Sequence, residues 1–192
     1  MRDGVIEGWG EALERRDPGT WSHCKRVASC ATVLAEALNL SEEEVRVIAC
    51  GALLHEVGKL EIPEAILRKP ARLNAAEMLV LRTYCVRGFE ILRKEVSLQD
   101  AAEIVYAHRE RFDGSGYPRG LRGEAIALGA RIVAVADAFE TLLCDRPHDF
   151  ARALAHARTE VSRWSGSEFD PQIVEVLLNV PDEDWRMALS QQ

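Results

Sequence analysis

The stretch CGALLHEVGK, residues 50–59, decides the fold, because an apolar helical run ends there in three side chains capable of chemistry. Ser41 and Glu44, three residues apart, form a capping-box pattern that predicts where this helix begins. His55 and Glu56 then fall in the last turn of a helix that is predicted to be buried, where an unpaired charge is costly. Taken alone, the pair is also explained by a core histidine bonded to a backbone carbonyl and a glutamate turned to solvent.

The composition limits the classes of function. The 192 residues, 47% of them hydrophobic, are enough for one domain with a sizeable core. A formal charge of −7 argues against a broad surface for nucleic-acid polymers or anionic membranes. Five cysteines without a C-x-x-C pair favour a reducing compartment. Since no apolar run reaches the roughly 18 residues that span a bilayer, and no signal peptide opens the chain, we expect a cytoplasmic protein.

Apolar residues recur at helical spacing along nearly the whole chain, and this pattern predicts an all-α fold. Asn74 with Glu77 predicts a second capping box. The least helical segment is RFDGSGYP, residues 111–118. No alternating strand pattern of useful length and no internal repeat is present. We expect the four tryptophans to lie in the core or between docked helices: Trp9, Trp21, Trp164 and Trp185.

Imidazole and carboxylate groups recur on four separate predicted helices: His23, the pair His55 and Glu56, His108, and Asp137. Asp137 is unexpected, because it lies within an apolar helical run. Each residue alone has a structural explanation, such as a hydrogen bond to a neighbouring helix. Together they are typical of the metal sites that helical bundles build from facing helices. Their ligand types suit iron, manganese or zinc and do not select among these metals.

With these motifs, the sequence resembles the HD-GYP domains, a subgroup of the HD superfamily of metal-dependent phosphohydrolases, over about residues 5–180. The matching motifs are His23, LHEVGK (54–59), IP (62–63), KP (69–70), HRE (108–110), DGSGYP (113–118), Asp137, DRP (145–147) and FDP (169–171). The resemblance implies an HD-superfamily helical bundle in a single domain, residues 1–192, with a helical arm at 1–18 and a core at 19–180. It also implies two or three metal ions, often iron or manganese, that help water to cleave a phosphodiester of cyclic di-GMP.

The resemblance also assigns roles to individual residues. It places Lys59 and Asp137 in catalysis, and Lys59, Tyr117 and Arg146 at the substrate phosphates. The metal ligands that it carries over are His23, His55, Glu56, His108 and Asp137. A phosphodiester is anionic and resists attack by hydroxide, so nearby cations must neutralise its charge and align the reacting groups. Lysine supplies a point charge for this purpose and arginine a bidentate fork.

Four positions depart from the family's pattern. Glu56 stands in place of the bridging aspartate, and Gly19 in place of a glutamate that holds a third metal in some members. Tyr84 and Arg109 stand in place of two ligand histidines. A phenol with an ordinary pKa of ~10 is a poor ligand at neutral pH, and a guanidinium repels a cation. We therefore expect the second metal site to be lost, while the first keeps His23, His55, Glu56 and Asp137.

The sequence leaves three functions open. The first is a pseudo-enzyme that hydrolyses weakly or not at all and acts by binding a nucleotide or a partner protein. The second is a working phosphodiesterase with one metal ion or an unusual pair. The third is a purely structural helical module. Under the first two, Arg109 is expected to replace the charge of the second metal, either by pairing with Glu56 or by binding a substrate phosphate.

The expected ligand is cyclic di-GMP or a related cyclic dinucleotide, and no sequence pattern selects among them. The resemblance further implies that diguanylate cyclase (GGDEF) domains dock on the loop around Tyr117. A homodimer is one expected assembly. The helical pattern at the first residues suggests a fragment that follows a receiver or sensor domain, or a stand-alone module that pairs through this helix. Neither a nucleic-acid polymer nor a membrane is an expected partner.

Overall fold

A computed structural model describes residues 2–144 and 149–190 of the chain, and these residues form eleven α-helices. The helices are α1 (Arg2–Arg16), α2 (Thr20–Ala37), α3 (Glu42–Leu54), α4 (Glu64–Leu67), α5 (Ala75–Arg82), α6 (Tyr84–Leu92), α7 (Gln99–Ala107), α8 (Leu128–Cys144), α9 (Phe150–Arg163), α10 (Pro171–Asn179) and α11 (Asp182–Ser190). Three 3₁₀ turns lie between them: Val57–Glu61, Val96–Leu98 and Gly123–Ala125. Since the described residues contain no β-strand, the predicted all-α fold is confirmed.

Two helix starts are fixed by the capping boxes that the sequence predicts. At α3 the Ser41 hydroxyl accepts a hydrogen bond from the Glu44 amide at 3.3 Å, and the Glu44 carboxylate accepts one from the Ser41 amide at 2.9 Å. Asn74 and Glu77 make the same reciprocal pair at α5. Each box satisfies two amides that would otherwise lack an intrahelical partner.

The main core lies between α2, α3 and α8, with α9, α10 and α11 packed on one side of it. Helix α8 is central because its buried face is almost continuous, and Phe139 packs against Trp185 of α11 with ring centroids 4.6 Å apart. Burial of such a pair stabilises the fold by roughly 1.5–3 kcal/mol per side chain. Helix α8 therefore holds Asp137 at a fixed depth within the bundle. None of the helices in the described part of the chain combines the length and apolarity needed to cross a lipid bilayer.

Helix α1 packs across α2 and the turn that follows α3. Leu13 is fully buried and clusters with Trp21 of α2. Arg16 donates a hydrogen bond to the carbonyl oxygen of Lys59 at 3.2 Å. The start of the chain therefore holds the turn that carries Lys59.

The helix that ends at the stretch 50–59 is shorter than its apolar pattern predicts. Helix α3 stops at Leu54, His55 is its C-cap, and the backbone tightens into the 3₁₀ turn Val57–Glu61. Gly58 lies so close to α6 that a Cβ at this position would overlap the carbonyl oxygen of Tyr84. Only glycine permits this approach.

One expectation about the tryptophans is wrong. Trp185 and Trp21 are buried, as predicted, but Trp164 leaves 49% of its surface exposed at the end of α9. Trp164 is the C-cap of α9 and lies where this helix ends in a turn.

Candidate metal centre and adjoining cleft

Three of the predicted ligands converge between α2, the end of α3, and α8. His23 Nε2 lies 3.1 Å from Asp137 Oδ1, and His55 Nε2 lies 3.9 Å from the same oxygen. One ligand atom from each residue falls within 4.8 Å of the other two, a spacing that suits a single cation. His55 and Asp137 are buried, and His23 is partly exposed.

His55 presents a free lone pair to this group. Its Nδ1 donates to the carbonyl oxygen of Ala52 at 2.6 Å, so the neutral ring carries its proton there and leaves Nε2 as an acceptor. Nε2 is buried and has no hydrogen-bond partner among the described residues. Burial lowers the pKa of His55, which keeps the ring neutral. An unpaired acceptor atom of this kind fits a metal ion, because metal ligation would satisfy it.

His23 is oriented by a buried carboxylate that sequence reasoning missed. Glu140 Oε2 lies 2.6 Å from His23 Nδ1, and Glu140 also pairs with Arg26 of α2. Although burial opposes it, the hydrogen bonds that His23 donates to Asp137 and Glu140 raise the pKa of His23 to about 9. A carboxylate behind a ligand histidine is the usual outer support of a metal site. Its spacing from Asp137, three residues along α8, was the available signal.

His108 and Tyr84 are hydrogen-bonded to each other beside this group. The His55 and His108 ring centroids are 5.2 Å apart. His108 Nδ1 donates to the Val105 carbonyl oxygen at 2.7 Å, so its Nε2 accepts from the Tyr84 hydroxyl at 2.9 Å. Burial, followed by the charge of Arg109, lowers the pKa of His108. Its acceptor lone pair is therefore used within the protein.

Arg109 continues this chain to the carboxylate of the first group. Its Nε donates to the Tyr84 hydroxyl at 2.6 Å, and its Nη1 lies 3.2 Å from Asp137 Oδ2. Although burial alone would raise it, the positive charge of Arg109 and the hydrogen bond from His23 hold the pKa of Asp137 well below its usual range. Arg109 thus pairs with Asp137. Its pairing with Glu56, which was one of the two expected arrangements, is not found among the described residues.

Glu56 and Lys59 lie at the edge of the three-ligand group. The Glu56 carboxylate pairs with the Lys59 ammonium, which also lies 3.1 Å from Asp17 Oδ2. Although burial opposes it, Glu56 and Asp17 raise the pKa of Lys59. The group of potential ligands found among the described residues does not include Glu56. Asp17 was not predicted, because nothing local in the sequence links it to a lysine 42 residues away.

A cleft of about 740 Å³ opens over these residues. Its lining includes His23, Glu56, Lys59, Arg109 and Asp137, together with Glu160, Trp164 and Glu168. Gly19 also lines it with a φ of +90°, which favours glycine and leaves no side chain on that wall. A volume of this size suits a ligand of several hundred daltons.

Tyr117 lies in a smaller adjoining cleft of about 220 Å³ that shares Arg109 and Asp137 with the first. Its ring is stacked under the guanidinium of Arg82, 5.0 Å from the ring centroid. Glu110 anchors the loop by accepting hydrogen bonds from the amides of Arg119, at 2.7 Å, and Leu121, at 3.1 Å. Arg146, the remaining predicted phosphate ligand, lies outside the described residues.

Comparison with known proteins identifies the family. The family model described as HD domain matches residues 10–173. The chain belongs to the HD-domain family. HD-domain phosphohydrolases are metal-dependent, and the group formed by His23, His55 and Asp137 is a possible metal-binding cluster in this chain.

Curated relatives support the resemblance to HD-GYP domains. The chain is 46% identical over 169 residues to the cyclic di-GMP phosphodiesterase response regulator RpfG of Xanthomonas campestris, covering 87% of this chain and 45% of that relative. It is 40% identical over 181 residues to a cyclic di-GMP phosphodiesterase of Thermotoga maritima, covering 93% of this chain and 49% of the relative. The chain thus spans about half the length of these relatives.

The fold agrees with that of a solved relative. The chain matches the crystal structure of a cyclic GMP-AMP specific phosphodiesterase of Vibrio cholerae, V-cGAP3, with a TM-score of 0.64 and 22% identity. The match covers 97% of this chain and 52% of that one. The predicted HD-superfamily bundle is confirmed.

Proposed function

We propose that this chain binds a cyclic dinucleotide in the 740 Å³ cleft and holds at most one divalent cation, iron, manganese or zinc, at His23, His55 and Asp137. In this proposal it is a weak or inactive phosphodiesterase, and it acts chiefly through binding the nucleotide or a partner protein. The names of its relatives, which are phosphodiesterases of cyclic di-GMP, support the ligand class.

The observation that carries the proposal is the hydrogen-bonded chain from His108 through Tyr84 and Arg109 to Asp137. It uses the lone pair of His108 and places a guanidinium where the family's second cation would need a ligand. Repulsion between a guanidinium and a dication about 4 Å apart is on the order of several kcal/mol even at an effective dielectric of ~20. These groups do not fit a second cation, so no step of the reaction is assigned to one.

The residues of the first position do fit a cation. When bound, a divalent cation would neutralise phosphate charge and lower the pKa of water. Arg109 uses Nε and Nη1 for Tyr84 and Asp137, and its side chain, 38% exposed, can still donate from its remaining N–H groups to a phosphate oxygen in the cleft. Lys59 adds a positive charge to the same cleft, but Glu56 and Asp17 neutralise part of its attraction for phosphate.

A second candidate function is a working phosphodiesterase with a single metal ion. The unpaired Nε2 of His55 favours it, since this atom has no structural role in the described part of the molecule. In that case Arg109 would orient the phosphodiester, Asp137 would help to hold the cation, and the family's substrate would be cleaved without a second cation.

Metal analysis and nucleotide binding together test the proposal. Purified protein is loaded with Mn²⁺, Fe²⁺ or Zn²⁺, and ions per chain are counted by elemental analysis. Cyclic di-GMP binding is measured by calorimetry, and hydrolysis by chromatography of the products. At most one ion per chain, with measurable binding and slow or no hydrolysis, is the expected result. One ion with steady turnover would favour the second candidate, and two ions with rapid hydrolysis would overturn both.

Three further features are proposed for this chain. They are the docking of diguanylate cyclase domains near Tyr117, the formation of a homodimer, and a location in the cytoplasm. Size-exclusion chromatography with light scattering tests the second directly.

A further inference from the structure

Trp164 is exposed within the cleft that the proposed nucleotide would occupy. About half of its surface is accessible, and it lines the same 740 Å³ cleft as His23, Lys59 and Asp137. Trp21 and Trp185 are buried by their neighbours. A large aromatic side chain left exposed inside a ligand-sized cleft is a typical binding feature.

The backbone holds Trp164 in a fixed position. Its carbonyl oxygen accepts hydrogen bonds from the amides of Ser167, Glu168 and Phe169, at 3.2, 3.0 and 3.1 Å, and from the Ser167 hydroxyl at 2.9 Å. The same segment is tied to the loop 111–118, because the Phe112 amide donates to the Glu168 carbonyl oxygen at 3.0 Å. A main chain that is already ordered loses little conformational entropy when a ligand packs on the side chain that it carries.

A cation also restrains the Trp164 side chain. The guanidinium carbon of Arg111 lies 5.8 Å from the ring centroid, and Arg111 is itself held by Glu168 at 3.2 Å. Cation–π contact of this kind contributes to orienting the indole and leaves the remaining ring surface available.

A carboxylate lies one helical turn before the tryptophan and lines the same cleft. Glu160 is four residues earlier on α9, and Arg163 donates to its Oε1 at 2.6 Å. The Watson–Crick edge of guanine presents two neighbouring N–H donors, N1 and N2, whereas adenine presents one amino group there. A carboxylate can accept both guanine bonds at once.

From these contacts we infer that Trp164 is the stacking surface for a purine base of the bound cyclic dinucleotide, and that Glu160 selects guanine over adenine. This inference rests on the proposed function and deepens it. It places the phosphates near Arg109 and Lys59 and one base beside Trp164 and Glu160, which line the same cleft.

Calorimetric titration with cyclic di-GMP and cyclic di-AMP tests the stacking surface. Trp164→Ala is expected to weaken cyclic di-GMP binding by about tenfold to a hundredfold, the usual effect of removing an aromatic partner of a base. Trp164→Phe should retain affinity within about threefold, since it keeps a ring at the same place. Met187→Ala, an exposed apolar residue on α11 outside this cleft, is the matched control and should bind as the parent does.

A spectroscopic signature separates stacking from a merely structural role. Binding of cyclic di-GMP should quench tryptophan fluorescence in the parent protein, and the quenching should be largely absent in Trp164→Phe although that variant still binds. Glu160→Gln should lower the ratio of cyclic di-GMP to cyclic di-AMP affinity by about tenfold, because one of two charged acceptor bonds is replaced.

The outcomes distinguish this inference from the proposed function. If the parent binds neither dinucleotide, both are overturned. If the parent binds cyclic di-GMP and Trp164→Ala, folded by circular dichroism, binds it equally well, the stacking surface is refuted and the proposed function stands. An unchanged affinity ratio in Glu160→Gln refutes the assignment of guanine selectivity.

Discussion

Two neighbouring histidines, His55 at the first metal position and His108 at the second, use their ring nitrogens differently. At the first, His55 donates from Nδ1 to a backbone carbonyl and keeps Nε2 without a partner. At the second, His108 makes the same Nδ1 bond, yet its Nε2 is satisfied by Tyr84. His55 thus keeps a lone pair available for a metal ion, whereas the lone pair of His108 is used within the protein.

The two positions also differ in the groups that face Asp137. Asp137 offers Oδ1 to the two histidines of the first position, while its Oδ2 is paired with Arg109 on the side of the second. One carboxylate thus faces two histidines on one side and forms an internal ion pair on the other. The comparison yields four predictions, which follow from the largest expected effect to the smallest.

Restoring the family's ligands should remove the difference between the two positions. In the triple variant Glu56→Asp, Tyr84→His, Arg109→His, two ions per chain are expected after loading with Mn²⁺, against at most one in the parent. Hydrolysis of cyclic di-GMP should rise by at least about a hundredfold, the order of effect of one electrostatic stabiliser of a transition state. Elemental analysis and product chromatography measure these changes. A triple variant that folds but gains no ion would show that another feature of the pocket blocks the second position.

Removing the charge of the carboxylate behind His23 should weaken metal binding at the first position alone. Glu140→Gln removes the charge behind His23, and we expect metal affinity to fall by about tenfold to a hundredfold. Titration with Zn²⁺ against a competing chelator measures it. Glu90→Gln on α6 is the control and should leave the affinity unchanged. An unchanged affinity in Glu140→Gln would show that His23 needs no orienting carboxylate.

Breaking the hydrogen-bonded chain at the second position should lower the stability of the fold. Tyr84→Phe leaves His108 Nε2 and Arg109 Nε without their shared partner, and Tyr84 is buried. We expect the free energy of unfolding to fall by roughly 1–3 kcal/mol. Urea denaturation measures it, with Tyr106→Phe on α7 as the matched control. A loss no larger than that of the control would contradict a structural role for the hydrogen-bonded chain.

Removing the internal cation should change metal and nucleotide binding in opposite directions. In Arg109→Ala, Asp137 loses its ion pair, so metal affinity at the first position should rise by about tenfold, while cyclic di-GMP affinity should fall by a similar factor. Arg93→Ala, an exposed arginine at the end of α6, is the control. If both affinities stay at parental values, Arg109 does not replace the charge of the second metal.

The sequence predicts those features that depend on local patterns. Ser41 with Glu44 identifies the start of α3, because a capping box involves four residues only. The meeting of His23, His55 and Asp137 follows from their family motifs and from the scarcity of carboxylates on apolar helices.

Other features depend on contacts between distant segments, which no local pattern encodes. Lys59 pairs with Asp17, and Arg109 with Asp137, because the packing of the helices brings these charges together. Trp164 is exposed at the end of α9, although its hydrophobicity alone predicts burial. The exposure of such side chains and the identity of their charge partners are evident only in the folded chain.

The hydrogen bonds between the segment after α9 and the loop 111–118 have a mechanical consequence. The amides of Phe112 and Asp113 donate to the carbonyl oxygens of Glu168 and Ser167, at 3.0 and 2.8 Å, so the two segments form a single stiff unit. Any molecule that packs on Trp164 therefore contacts a segment that is hydrogen-bonded to the loop carrying Tyr117.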